Sequence, residues 1–237
     1  MAKQSAAFEI ALPARERGTP AYRWLYASLR GEILGGGLRP GTRVLSSGLG
    51  DEEQRAASAV AEARMGHAVA LIGSGDAGVY AMASPALAIA GADIDVVGVP
   101  GVTAGLAAAA LLGAPLGHDH VIMSLSDLHT PWEVIERRIR AAAEGDFVVA
   151  FYNPRSKERD WQLGAALEIL AGYRDPGTPV GVVHDAFRPG QRVLVTTLAE
   201  IDPAAADMTS VVIVGSASTQ IIAGRMVTPR GYKWQRS

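Results

Sequence analysis

The chain has 237 residues, 49% of them hydrophobic, enough for one large domain or two small lobes around a sizeable core. A net charge of −2 provides no general basic field for nucleic acid, and the lack of cysteine excludes disulfides, thiolate metal ligands and a cysteine nucleophile. No apolar leader or run of membrane-spanning length is visible, so a cytoplasmic protein without membrane contact is expected.

Residues 1–18 read as a loose leader. Tyr22, Leu25, Leu29 and Ile33 then recur at helical spacing, Gly35, Gly36 and Gly37 stop that helix, and Pro40-Gly41 reads as a turn. From Ser47 strands and helices alternate. A helix is predicted over 51–65, capped by Asp51 and ended by Gly66. "AVALIG" (68–73) and "IDVVGV" (94–99) read as buried strands, with helices over 79–90 and in "AGLAAAALLG" after Thr103. "VIMSLS" (121–126) is the next strand. Thr130-Pro131-Trp132-Glu133 then has the form of a capping box opening a helix, with Trp132, Ile135 and Ile139 on one face. "FVVAFY" (147–152), "PVGVVH" (179–184), "RVLVTTL" (192–198) and "SVVIVG" (210–215) are strands, with a helix over 160–171. The alternation predicts an α/β architecture with largely parallel buried sheets. "GAPLGHDH" (113–120) is the predicted boundary, giving an atypical segment 1–46, a first lobe 47–116, a second lobe 117–237 and a ligand cleft near the junction.

"ALIGSGDAGVYAMA" (70–83) carries the Gly73-x-Gly75-x-x-Gly78 pattern of a dinucleotide loop. That reading requires an acidic residue closing the second strand. Asp93 and Asp95 instead open theirs, and Asp76 inside the loop would repel a pyrophosphate. A carboxylate among glycines suits a cationic or hydroxyl-rich ligand such as S-adenosylmethionine; a tight turn with no ligand is the plain alternative. The second glycine turn, Pro100-Gly101-Val102-Thr103-Ala104, also follows a predicted strand, where Thr103 can cap a helix or face a ligand.

Together, "VALIGSGDAGVYAMA", "VVGVPGVTAG", "SLSDLHTPWEVIERR", "YNPRS", "DMTSVVIVG" and "MVTPRGY" resemble the tetrapyrrole methylases of the cobalamin pathway, over about Ser46 to Tyr232. The resemblance implies two α/β lobes, each a mostly parallel sheet flanked by helices. It also implies a homodimer, S-adenosylmethionine as cofactor and no metal site. The implied reaction is C17 methylation of a precorrin with ring contraction. By position it implies cofactor contacts at Ser74, Gly75, Asp76, Thr103, Ala104, Tyr152, Asn153, Thr209 and Ser210. Arg155, Lys157 and Arg230 become candidates for the substrate's carboxylates. Asp127, His129, His184 and Asp185 are the candidates for proton transfer. Ala77 stands where the family often has proline. The family's opening strand and GxGPGD loop have no counterpart, so an incomplete first lobe is expected, and a catalytically impaired relative stands as the alternative. Residues 20–47 instead resemble the start of a GntR-type winged helix, without a following recognition helix, leaving a DNA-binding regulator as the third reading.

Overall fold

The computed structural model describes residues 51–232. The chain divides into two compact units, Met1–Asp51 and Glu52–Ser237, and the described elements belong to the second. The predicted Tyr22 helix, the Pro40-Gly41 turn and the GntR-like stretch lie outside the described residues.

Helix α1 (Glu52–Arg64) has two glutamates in its first turn and an arginine in its last, each sign matched to the helix dipole. Arg64 pairs with Asp93 at 2.9 Å and donates to the carbonyls of Ile89 and Ala90, both at 3.2 Å. These are the closing carbonyls of α2 (Ala83–Ala90), which have no donor within their own helix. Ala56, Val60, Ala86 and Ala90 are buried in this pair of helices.

Three expectations for this region are corrected. Helix α2 starts at Ala83 rather than at 79, because Tyr80 sits at φ 50°, outside helical space. The runs 68–73 and 94–99 pair with no strand among the described residues. A continuous apolar run becomes a buried strand only where a sheet receives it and both its faces are covered. Here Val97 and Val99 are 76% and 75% exposed.

After α3 (Ala104–Leu112) come two sheets. The larger contains β2 (His120–Ser124), β3 (Val148–Tyr152), β4 (Pro179–His184), β5 (Arg192–Thr197) and β6 (Ser210–Val214), in the order β2-β3-β6-β4-β5. Within this sheet, among the described residues, β2 and β3 pair in parallel, while β6 opposes both β3 and β4, and β5 opposes β4. The α/β architecture is therefore mixed rather than mostly parallel. The cause is β6, which inserts in reverse between β3 and β4, and a direct β4–β5 hairpin with no crossover helix. Since both oppose β6, β3 and β4 run the same way, so β2, β3 and β4 all end at one edge.

That sheet is covered on both faces, which is why its strands read as unbroken apolar runs. Val149, Phe151, Val182 and Val212 meet Ile139 of α4 (Trp132–Glu144) and Leu163 and Leu170 of α5 (Gln162–Ala171). Val148, Ala150, Val183 and Ile213 meet Leu112 of α3 and Met226. Trp132 and Trp161, 4.7 Å apart edge to face, join the starts of α4 and α5. The N-cap of α4 is Pro131, not Thr130: the Pro131 carbonyl accepts from Val134 at 3.0 Å, and no side chain caps the helix.

The small sheet, β1 (Gly113–Ala114), β8 (Arg225–Val227) and β7 (Gln220–Ile222), was not predicted. Ala223 and Gly224, at φ 49° and 74°, make the two-residue β7–β8 turn. Met226 carries this sheet into the core beside Gly181. A Cβ on Gly181 would lie 2.5 Å from Leu112 Cδ1 and 2.8 Å from Met226 Sδ. Gly181→Ala is expected to cost about 1–3 kcal/mol, read as a lowered melting temperature. An unchanged melting point would contradict this packing.

Candidate functional site

The carboxyl ends of β2, β3 and β4 form the edge at which open α/β sheets receive ligands. The two glycine turns are tied to each other and to this edge. One Asp76 carboxylate oxygen accepts the Gly78 N–H and the other the Gly101 N–H, both at 2.8 Å. The Gly101 and Gly78 amides hold the carboxyl below its ordinary value of 3.8. Thus Asp76 is both the clasp between the turns and a fixed negative charge. The approach is close enough to exclude a side chain: a Cβ on Gly101 would lie 2.0 Å from the Gly75 carbonyl oxygen.

Thr103 is the N-cap residue of α3, yet its hydroxyl caps nothing. It lies 2.6 Å from the Tyr152 hydroxyl, which also accepts the Gly105 N–H at 2.5 Å. Tyr152 ends β3 with its side chain on the α3 face and so joins the second glycine turn to the sheet. Tyr80, past the first glycine loop, packs against Tyr152 with the rings 5.4 Å apart and tilted by 51°, and donates to the Ile122 carbonyl at 3.2 Å. The structure therefore brings Gly75, Asp76, Thr103 and Tyr152 together. Ser74 and Ala104 are exposed beside them.

Asn153 follows at φ 49°, a conformation asparagine tolerates, and donates to Ser124 Oγ at 3.0 Å. Behind it lies Arg159, which the sequence reading missed. Arg159 is buried and donates to the carbonyls of Asn153 at 2.6 Å and Leu125 at 3.2 Å. Asp127 is held in the same group, accepting from Gln162 Nε2 at 3.1 Å with Arg159 Nε 3.9 Å away. Arg155 is half-buried, while Lys157, Arg230 and His129 are exposed. None of the four makes a side-chain hydrogen bond or ion pair among the described residues.

His184 and Ser210, paired across β4 and β6, share the strand faces of Val182 and Val212, toward α4 and α5 and opposite to Tyr152. The Ser210 hydroxyl donates to Asp207 Oδ1 at 2.8 Å and accepts the Asp207 N–H at 2.9 Å. Ser210 has only one proton, so its 2.9 Å contact with His184 requires Nδ1 to carry the hydrogen. The 3.3 Å approach of Arg192 to the same nitrogen is then a close contact between two donors. In the neutral ring this leaves Nε2 of His184 as the acceptor, with no hydrogen-bond partner among the described residues. His184, Arg192 and Asp207 line a cavity of about 360 Å³. Asp185, at φ 43°, lies just beyond, its N–H donating to the Thr209 carbonyl at 3.2 Å.

Partial burial raises the Asp207 pKa, but hydrogen bonds from Ser210 and Thr209, joined by the charge of His184 when its ring is protonated, outweigh it, leaving a value of about 2. A depressed carboxylate stabilises the fold above its unfolded value of 3.8, and that contribution disappears as pH falls through about 2. Because Asp207 is half exposed, Asp207→Asn is expected to cost at most about 1 kcal/mol at pH 7 and almost nothing at pH 2. Denaturant titrations at the two pH values check this; an equal loss at both would contradict it.

The tetrapyrrole (corrin/porphyrin) methylase family matches residues 15–202. A probable cobalt-factor III C(17)-methyltransferase of Salmonella typhimurium is 50% identical over 193 residues, covering 80% of each chain. A precorrin-3B C(17)-methyltransferase of a Sinorhizobium species is 46% identical over 191 residues, covering 78% of this chain and 75% of that one. The crystal structure of the methyltransferase CobJ superposes with a TM-score of 0.77 at 41% identity, covering 81% of this chain and 82% of that one.

Proposed function

The chain belongs to the tetrapyrrole (corrin/porphyrin) methylases, and on that premise we propose that it transfers a methyl group from S-adenosylmethionine to C17 of a precorrin-3B-type macrocycle in cobalamin biosynthesis, with ring contraction. The observation that carries this reading is the Asp76 clasp. Its carboxylate is held at 2.8 Å by an amide from each glycine turn. Each oxygen keeps lone-pair capacity for a further donor. A ligand with a sulfonium and an ammonium complements that charge, whereas a pyrophosphate is repelled by it. The residues present therefore fit the cofactor.

Ser74, Gly75, Asp76, Thr103, Ala104, Tyr152 and Asn153 would hold it, with Thr209 and Ser210 contributing by family position. Bound S-adenosylmethionine supplies an electrophilic methyl group. The protein's part is mainly orientation: turns locked to one another and to β3 hold ligands in line without reorganising. Arg155, Lys157 and Arg230 carry donors left unengaged within the described chain and would meet the macrocycle's acetate and propionate groups. Addition of a methyl cation to a neutral macrocycle also requires a proton to leave. Asp127, His129, His184 and Asp185 remain the candidates to receive it; the neutral His184 ring would offer Nε2, while Asp127 already accepts from Gln162. The proposed setting is a cytoplasmic homodimer; among the described residues no helix is long and apolar enough to cross a membrane.

Calorimetry with S-adenosylmethionine, NAD and a generic duplex DNA tests the reading. Saturable binding of S-adenosylmethionine alone is expected. Binding of NAD alone would overturn it. Salt-sensitive binding of the duplex would favour the GntR-like reading of residues 20–47 instead.

A further inference from the structure

Two arginines, Arg159 and Arg174, are buried at 8% and 7% exposure, and both use their guanidinium groups chiefly on backbone carbonyls. They sit at opposite edges of the large sheet. Arg174 donates to the carbonyls of Phe147, just before β3, and Gly215, just after β6. Arg159 works at the ligand edge. It donates to Leu125 after β2 at 3.2 Å and to Asn153 after β3 at 2.6 Å, and its Nη2 lies 3.6 Å from Met208 Sδ before β6. One guanidinium thus touches three of the loops that frame the site. Among the described residues its one ion-pair partner is Asp127, 3.9 Å away and also held by Gln162.

Resting on the reading of this edge as the methyl-donor site, we infer that Arg159 is a positioning residue: it fixes the Leu125 and Asn153 carbonyls, and so sets the Asn153 turn that faces the ligand. The backbone of Asn153 is where this dependence acts. Its φ of 49° is held from behind by the Arg159 bond and from the side by its Nδ2 bond to Ser124. A lysine offers one compact ammonium in place of a planar fork and cannot reproduce the set of contacts.

Arg174 supplies the control, with the same chemistry at the edge away from the ligand. In the full-length protein, Arg159→Met and Arg174→Met are both expected to lower the melting temperature. Only Arg159→Met is expected to weaken S-adenosylmethionine binding, by about tenfold or more, with Arg159→Lys in between. Equal affinity in all variants would overturn the inference, as would an equal loss in the Arg159 and Arg174 variants. If Arg159→Met does not fold, Arg159→Lys decides. Amide hydrogen exchange without ligand separates this inference from the proposed function. Exchange at 124–127 and 153–156 is expected to accelerate in Arg159→Lys and not in Arg174→Met. Unchanged exchange there overturns the positioning role even if the wild type binds cofactor. Accelerated exchange in a protein that binds none leaves the loop clamp intact and overturns the cofactor reading.

Discussion

Gly101→Ala is expected to abolish tight binding of S-adenosylmethionine while leaving the β2–β6 sheet folded. The added Cβ would lie 2.0 Å from the Gly75 carbonyl oxygen and 3.0 Å from its carbon. Both are backbone atoms, so no rotamer relieves the clash and the two turns must separate. Overpacking of this kind costs roughly 1–3 kcal/mol, occasionally more. Separation also breaks the 2.8 Å bond from the Gly101 amide to Asp76. Calorimetry should show loss of cofactor binding, and thermal denaturation should show a modest fall. Wild-type affinity in this variant would mean that the two turns do not act as one site.

Asp76→Ala is the second large effect. It removes the acceptor for two amides and the charge facing a cationic ligand. Affinity for S-adenosylmethionine is expected to fall about tenfold or more. Asp76→Asn separates the two contributions. Its amide oxygen can still accept from one turn, but the charge is gone. If the charge attracts the ligand, the Asn variant should bind nearly as weakly as the Ala variant. If the clasp dominates, it should recover much of the loss. Full affinity in both variants would contradict the assignment of this loop to the cofactor.

Much of the second half of the molecule was legible in the sequence for a simple reason. Strands such as "VVAFY" and "SVVIV" are buried on both faces, and their apolar runs report that burial directly. The same rule failed for "AVALIG" and "IDVVGV". An apolar run shows capacity for burial, but a strand also needs a partner, and among the described residues these have none. Strand direction was not legible either, because alternation with helices carries no information about β6 inserting in reverse. Ala223-Gly224 between two short apolar runs was the available signal for the missed hairpin.

The site divides in a similar way. Both glycine turns stood out in the sequence as candidate ligand loops, but their contact through Asp76 and Gly101 did not. The Tyr152–Thr103 bond joins residues distant in sequence; the family resemblance implied a cofactor contact for each but not the bond between them. Arg159 left no signal. It stands in a charged stretch, "RSKERD", where Arg155 and Lys157 look equally suited to solvent or substrate. Only the fold shows that one of these cations turns inward onto two carbonyls. The His184–Ser210–Asp207 group likewise depends on the antiparallel register of β4 and β6.

The most direct test of the account is anaerobic turnover of precorrin-3B, and of its cobalt-containing counterpart, with S-adenosylmethionine labelled in its methyl carbon. The pigment's absorbance, mass and carbon-13 spectrum should be followed together. The account predicts that the labelled methyl group appears at C17 of a ring-contracted product, with one S-adenosylhomocysteine formed per macrocycle. Cofactor binding without methyl transfer to either macrocycle, or transfer to a different carbon, would contradict it.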